Sequence, residues 1–329
     1  MKVTGVRVHA YGGSDQLRLE TFDIAPPGRD EVLVRHRAIG VNFADIHNRT
    51  GRYPLPSLPH VLGGEAAGVV EAVGTDVREF KPGDRVAYAA GGPDFAPGAY
   101  AEARVMRADR LIGLPEEIDD VIAASIMTKG LTAQYLLKSA YRVSAGDTIL
   151  VHAAAGGVGQ LLTQWARHLG CRVIGVVSSD AKAQTARGSC DHVIVSARED
   201  VASRVRALTA GRGVPVVYDS VGRDTFDASL RSLEPHGLLI SFGSSSGAVP
   251  PFDLFQLNRL GSLHVTSAGF AWFVRSRDEL LARAADLFSV VLTGAVATRV
   301  FKSYPLAEAR KAHDDLEGRR TIGPSVLVP

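Results

Sequence analysis

The chain has 329 residues, 46% hydrophobic and 22% charged, with 37 Lys and Arg against 35 Asp and Glu. That balance suits a large buried core, and at about 150 residues per domain some two domains of it, which excludes bulk disorder. A formal net charge of +2 gives no electrostatic case for a nucleic-acid or anionic-membrane binder, and the two cysteines, Cys171 and Cys190, exclude a disulfide scaffold or a cysteine-rich zinc module.

The opening run MKVTGVRVHAYGGSD lacks an apolar core and a cleavage pattern, so no signal peptide is expected, and the cysteine usage fits a reducing, cytoplasmic setting. Through residue 120 the pattern is of short β segments, with Val32 to Val34, Val69 to Val73 and Arg85 to Ala89 among them. Pro26-Pro27-Gly28, Pro54, Pro56, Pro59 and Pro82-Gly83-Asp84 punctuate these runs, and the spacing predicts a barrel-like β domain. Ile122 to Leu137 then reads as helix. From residue 147 strands and helices alternate. Strands are predicted at Ile149–Val151, Arg172–Val177, His192–Val195, Val214–Tyr218, Leu238–Phe242 and Leu263–Thr266. Helices are predicted at Gln160–Leu169 and around Val201, Val205 and Leu208. The alternation predicts a doubly wound parallel sheet. A helix over Asp278–Leu292 and a terminal strand over Thr321–Pro329 complete the α/β reading. Thr148 to Ala166 carries no Asp, Glu, Lys or Arg, but its three glycines and its change from strand to helix character argue against a membrane span.

The run Val151-His152-Ala153-Ala154-Ala155-Gly156-Gly157-Val158-Gly159 follows a predicted strand and opens a helix, the setting of a dinucleotide fingerprint. In the G-x-G-x-x-G frame alanine stands first, at Ala154, followed by Gly156 and Gly159. Gly156 would admit the diphosphate, and Gly159 would let the helix pack closely on the sheet. The helix start at Gly157 and Val158 would offer N–H groups and the positive end of its dipole. At the second strand's end Val177 stands where an NAD-binding acid is expected. Ser178, Ser179 and Lys182 follow and suit a 2′-phosphate, so NADPH is the expected cofactor; Asp180 speaks against it unless it caps the next helix.

These residues resemble the quinone oxidoreductase/zeta-crystallin family of the medium-chain dehydrogenase/reductase superfamily. The resemblance extends through Ala38-Ile39-Gly40-Val41-Asn42-Phe43-Ala44-Asp45, Gly64-Glu65-Ala66-Ala67-Gly68, Lys129-Gly130-Leu131-Thr132, Tyr218-Asp219-Ser220-Val221-Gly222 and Ser241-Phe242-Gly243, over essentially the whole chain. It implies a GroES-like catalytic β-barrel domain at 1–125, a Rossmann NADPH-binding domain at 126–268 and a C-terminal segment at 269–329 that returns to the first domain, with the cofactor between domains. It also implies that Asn42, Asp45, Tyr53 and Thr132 lie at the nicotinamide end and that Gly156, Gly157 and Val158 meet the diphosphate. Ser178 and Lys182 would sit at the 2′-phosphate, with Ser220, Phe242, Gly243 and Ser244 along the strand ends and Arg319 on the phosphate side. Ser196 stands where relatives carry a tyrosine near the 2′-phosphate, which weakens the implied NADPH preference. A cytoplasmic homodimer is implied as well.

Zinc-dependent members of the superfamily ligate the metal with Cys, His and Cys or an acid. Here Asn42 takes the first cysteine position, Gly63-Gly64-Glu65 lacks the histidine, and His36, His47 and His60 show no ligand spacing, so no metal is expected. Glu65 then reads as structural. The reaction expected is metal-free hydride transfer from NADPH to a quinone, with Tyr53 or Asn42 bonding the developing quinol oxygen. The plainer readings are a helix cap for Asp45, a turn residue for Asn42 and a packed aromatic for Tyr53. Two alternatives stand beside the quinone reductase. An enone or alkenal reductase would need a proton donor, for which Tyr53 is the candidate. An NADPH-binding protein acting through RNA or as a structural protein is the other, and the near-neutral charge speaks against RNA.

Overall fold

A computed structural model describes residues 1–89 and 96–329. In chain order the elements are β1 (Lys2–Val8), β2 (Leu17–Asp23), β3 (Glu31–Val41), α1 (Phe43–Arg49), β4 (His60–Val61), β5 (Glu65–Val73), β6 (Arg85–Ala89), β7 (Ala103–Arg107), β8 (Ile112–Gly113) and α2 (Asp120–Tyr135). There follow β9 (Thr148–His152), α3 (Gly157–His168), β10 (Arg172–Val177), α4 (Asp180–Ala186), β11 (His192–Val195), α5 (Val201–Leu208), β12 (Val214–Asp219), α6 (Phe226–Ser232), β13 (Leu233–Ser241), α7 (Phe255–Arg259) and β14 (His264–Ser267). The chain ends with α8 (Arg277–Leu292), β15 (Lys302–Pro305), α9 (Ala309–Glu317) and β16 (Ser325–Val328). Two compact units emerge: Met1–Leu131 with Phe270–Leu292 and Thr298–Pro329, and Thr132–Gly269 with Thr293–Ala297.

The first unit is built on β3, which pairs antiparallel with β5, β7 and β16. The seven-stranded sheet runs β15-β16-β3-β5-β6-β8 with β7 also on β3, and a smaller sheet runs β2-β1-β4. A Gly5–Ala101 bridge links the smaller sheet to the segment before β7. Val32, Val34, Ile39 and Val41 of β3 are buried with Val6, Val70, Tyr88 and Leu327 in one core. The burial of Val and Ile on a pleated strand is the main stabilising term here, worth roughly 1.5–3 kcal/mol per side chain.

The second unit is a six-stranded parallel sheet ordered β11-β10-β9-β12-β13-β14. Val173, Ile174, Val176 and Val177 of β10 are all buried, as a strand covered on both faces requires. The order reverses direction between β9 and β12, and such switch points are where ligands sit beyond the strand ends.

Boundaries differ from the sequence reading for local reasons. The helix predicted from Gln160 begins at Gly157, because Gly156 caps it in an extended conformation. The helix predicted to reach Leu137 gives way after Tyr135 to a wider turn over Leu136–Ala140. The strand predicted at Leu238–Phe242 starts at Leu233 and stops at Ser241, and the terminal strand shrinks to Ser325–Val328. The uncharged stretch from Thr148 forms β9 and α3, and among the described residues no helix is long and apolar enough to cross a membrane.

Candidate active site

In the second unit the chain leaves β9 at His152 and turns through Ala153, whose φ is 52°. The amide of Gly156 donates to the carbonyl of Ala153 at 2.8 Å, and that of Gln160 to Gly156 at 2.9 Å, which starts α3. The N–H groups of Gly157, Val158 and Gly159 therefore have no carbonyl behind them within the helix, and a glycine cap offers no side chain in their place. This is the anion-binding end of a helix, set at the switch point. A Cβ on Gly159 would stand 2.2 Å from the Ala153 oxygen and 2.8 Å from the Ala154 Cα, so only glycine allows this approach. Ala154 fits the slot of the missing first glycine because Gly175 lies opposite: a Cβ there would come within 2.9 Å of the Ala154 Cβ.

The remaining cofactor candidates of this unit leave the same edge of the sheet. Ser178 is exposed after β10, and Lys182 is half-buried one turn into α4. Ser179 caps that helix, so Asp180 is its first residue rather than its cap. Ser196 follows β11, and its amide and hydroxyl both donate to the carbonyl of Val177, at 2.9 and 3.2 Å. Ser220 follows β12 and Phe242, Gly243 and Ser244 follow β13; the Phe242 amide donates to Asp219 at 2.9 Å and the Ser245 amide to Ser220 at 3.3 Å, which ties the two loops together. Asp219 organises the first of them. Its Oδ1 accepts from the amides of Val221 and Gly222 at 2.8 and 3.1 Å, and its Oδ2 from the hydroxyls of Ser229 and Thr225, both at 2.7 Å. Thr132 lies buried in α2, also in this unit.

In the first unit Asn42 caps α1. Its amide N–H donates to Oδ2 of Asp45 at 2.8 Å, and its Nδ2 donates to Oε1 of Glu65 at 2.8 Å. Glu65 is fully buried and also accepts from Nζ of Lys129 and the amide of Thr128, both at 2.6 Å. A carboxylate only accepts, so Glu65 sets the carboxamide of Asn42 with Nδ2 toward it and Oδ1 turned away. Asp45 is buried, and burial pushes its carboxyl up to about 7, against the bonds from Asn42 and Tyr100 that favour the charged form. Its Oδ1 has no hydrogen-bond partner among the described residues. Tyr53 is exposed, with its ring centroid 4.9 Å from that of His47 in an edge-to-face arrangement and its amide donating to the carbonyl of His47 at 3.1 Å. Arg319 is exposed just past α9 with a φ of 56°.

From Asp45 a buried chain continues that no sequence pattern announces. The Tyr100 hydroxyl donates to Asp45 Oδ2 at 3.1 Å and sits 3.0 Å from Nε2 of His313, while Nδ1 of His313 faces Arg49 at 3.3 Å. Arg49 donates to both carboxylate oxygens of Glu317 at 2.8 Å. Burial pushes His313 down to about 3, so it is neutral, and Arg49 beside it can only donate. Nδ1 is therefore the acceptor and Nε2 carries the proton toward Tyr100. Lys129, Tyr100 and His313 were missed as site residues because they are 64, 55 and 213 positions from their partners. Among the described residues no group of three or more His, Cys, Asp or Glu is placed to hold a metal ion.

An alcohol dehydrogenase GroES-like domain matches residues 28–116, and the zinc-binding dehydrogenase family matches residues 157–289. The fold and the glycine turn thus define a dehydrogenase/reductase with a GroES-like unit and a dinucleotide-type sheet. The chain is 47% identical to a quinone oxidoreductase of Pseudomonas aeruginosa, over 98% of this chain and 99% of that one. It is 42% identical to a 2-haloacrylate reductase of a Burkholderia species, over 98% of each. The crystal structure of Escherichia coli quinone oxidoreductase complexed with NADPH aligns with a TM-score of 0.96 at 43% identity, over 99% of this chain and 100% of that one. The chain belongs to the quinone oxidoreductase family.

Proposed function

We propose that this protein is an NADPH-dependent quinone reductase. The observation that carries the reading is its full-length likeness to a quinone oxidoreductase complexed with NADPH, in a chain whose glycine turn stands at the switch point of its parallel sheet. Bound NADPH supplies the hydride from C4 of its nicotinamide. The chain's own task is to hold and orient. The first N–H groups of α3, at Gly157 and Val158, take the diphosphate, and Gly156 leaves room for it. Ser178, Lys182 and Ser196 serve the adenosine side, Ser220, Phe242, Gly243 and Ser244 the strand ends, and Arg319 the phosphate side. Asn42, Tyr53 and Thr132 serve the nicotinamide end and the acceptor. Glu65 holds the Asn42 carboxamide through its Nδ2, and Tyr53, being exposed, offers a hydroxyl to the developing quinol oxygen. Asp45 is a positioning residue, fixing the backbone of Asn42. A homodimer and a cytoplasmic setting belong to the same reading.

The likeness to a 2-haloacrylate reductase favours a second reading, hydride delivery to an electron-poor C=C bond. That reaction needs a proton at the α-carbon as well. Steady-state kinetics with NADPH against 1,4-benzoquinone, naphthoquinone and 2-alkenals, with a chelator control, separates the readings. The quinones are expected to show the higher kcat/KM. Higher efficiency with the alkenals would reverse the order, and no acceleration by any acceptor would remove the enzyme reading.

A further inference from the structure

We propose that Arg198, which is paired with Asp180, is the cation that selects the 2′-phosphate of the dinucleotide. The inference rests on the reading that the adenosine end lies over the ends of β10 and β11. These strands are parallel neighbours, with Val177 opposite Val195, so the loops after them leave the sheet side by side. A 2′-phosphate accepts hydrogen bonds and carries negative charge, so it needs donors and cations at this corner. Ser196 is a poor donor for it, because its hydroxyl and its amide both donate to the carbonyl of Val177. Two residues further on, the Arg198 guanidinium reaches back across the gap between the loops to Oδ1 of Asp180 at 2.5 Å.

The Arg198 and Asp180 side chains are 61% and 65% exposed. An ion pair that exposed is a weak tie, so its partner is readily exchanged. A guanidinium has five donors in a rigid fork that matches a phosphate, and a phosphate is the stronger partner of the two. Asp180 thus competes with the phosphate for the same guanidinium. The pair also accounts for an acid at the start of α4 beside residues that otherwise suit NADPH: the arginine neutralises it.

Calorimetric titration with 2′,5′-ADP and with ADP isolates the 2′-phosphate from the rest of the cofactor and needs no turnover. Arg198→Ala is expected to weaken 2′,5′-ADP about tenfold or more and ADP less than about twofold, with the gap narrowing in high salt. Asp180→Asn is expected to tighten 2′,5′-ADP. Lys182→Ala is the comparator on the neighbouring helix. Loss in Lys182→Ala but not in Arg198→Ala would overturn the role of Arg198 and leave the adenosine site in place. Equal loss of both ligands in Arg198→Ala, or weaker 2′,5′-ADP binding in Asp180→Asn, would overturn it too. If neither the Arg198 nor the Lys182 variant changed the preference for 2′,5′-ADP over ADP, the placement of the adenosine end would fall with it.

Discussion

Gly156 and Gly159 look alike in sequence and differ in what the backbone around them allows. A Cβ on Gly159 would lie 2.2 Å from the backbone oxygen of Ala153, whereas one on Gly156 would meet that oxygen at 3.1 Å. The first clash is with main chain that has nowhere to move, and the second is a tight contact. Gly159→Ala is therefore expected to destabilise the fold by about 1–3 kcal/mol, the usual range for overpacking, and Gly156→Ala by less. With the diphosphate placed as proposed, Gly156→Ala is expected instead to weaken NADPH binding, because a methyl group there would crowd it. Thermal unfolding together with NADPH fluorescence titration reads both effects, and equal Tm losses for the two variants would contradict the assignment. These glycines were legible in the sequence because a strand–turn–helix needs them locally. The pairing of Asn42 with Glu65 was not, since 23 residues separate the two and only the antiparallel pairing of β3 and β5, with Gly40 opposite Glu65, brings them together.

At the scale of elements, α1 and α9 are fastened through Arg49, which is 1% exposed although it is a charged residue. It donates to Glu317 twice at 2.8 Å, to the carbonyl of Gly12 at 3.1 Å and to His313 at 3.3 Å. Its helix carries no pattern that predicts a buried arginine; the partners come from the last helix of the chain. Removing the cation leaves its acceptors unpaired in a buried place, whereas removing Glu317 takes away a partly exposed partner and leaves two of the arginine's other bonds. Arg49→Ala is expected to cost about 3–5 kcal/mol and Glu317→Ala about 1–3 kcal/mol. Urea unfolding measures both. A Glu317→Ala loss equal to or larger than that of Arg49→Ala would show that Arg49 is not the centre of this fastening. Helix α2 shows the same limit of sequence reading: its extent was legible within two residues, but Lys129 on it is buried only because Glu65 of β5 accepts its charge.

Across the whole molecule, buried titratable groups set the response to acid. Burial pushes His36 and His47 down to about 4 and His313 to about 3. These groups take up protons more readily when unfolded, so their stability contribution is full above about pH 6.5 and is lost as pH falls toward 4 and 3. Asp45 runs the other way. Its carboxyl, raised to about 7, binds a proton more tightly when folded, so its contribution is full below about pH 4 and is lost as pH rises through 7. Between pH 7 and 5 Asp45 therefore offsets part of the histidine loss. Asp45→Asn keeps an acceptor for the Asn42 amide and removes this offset. Its stability is expected to fall more steeply than that of the parent chain on acidification, by up to about 1.4 kcal/mol per pH unit. Urea midpoints from pH 7 to pH 5 test this, and parallel curves for the two proteins would contradict it.

Hydrophobic periodicity and the glycine turn were sufficient to place the six strands of the second unit and its helices α3 and α5, because each depends on residues a few positions apart, whereas the short helices α6 and α7 carried no such pattern. The parallel sense of the six strands follows from the same alternation, since parallel neighbours need a crossover between them, but their order required the tertiary structure because the same alternation serves more than one doubly wound order. The polar chain from Glu317 through Arg49, His313 and Tyr100 to Asp45, and the meeting of Arg198 with Asp180, required the tertiary structure. Such contacts join residues that only packing brings together, and a buried or loop-borne charge takes its partner from whichever element the fold lays beside it.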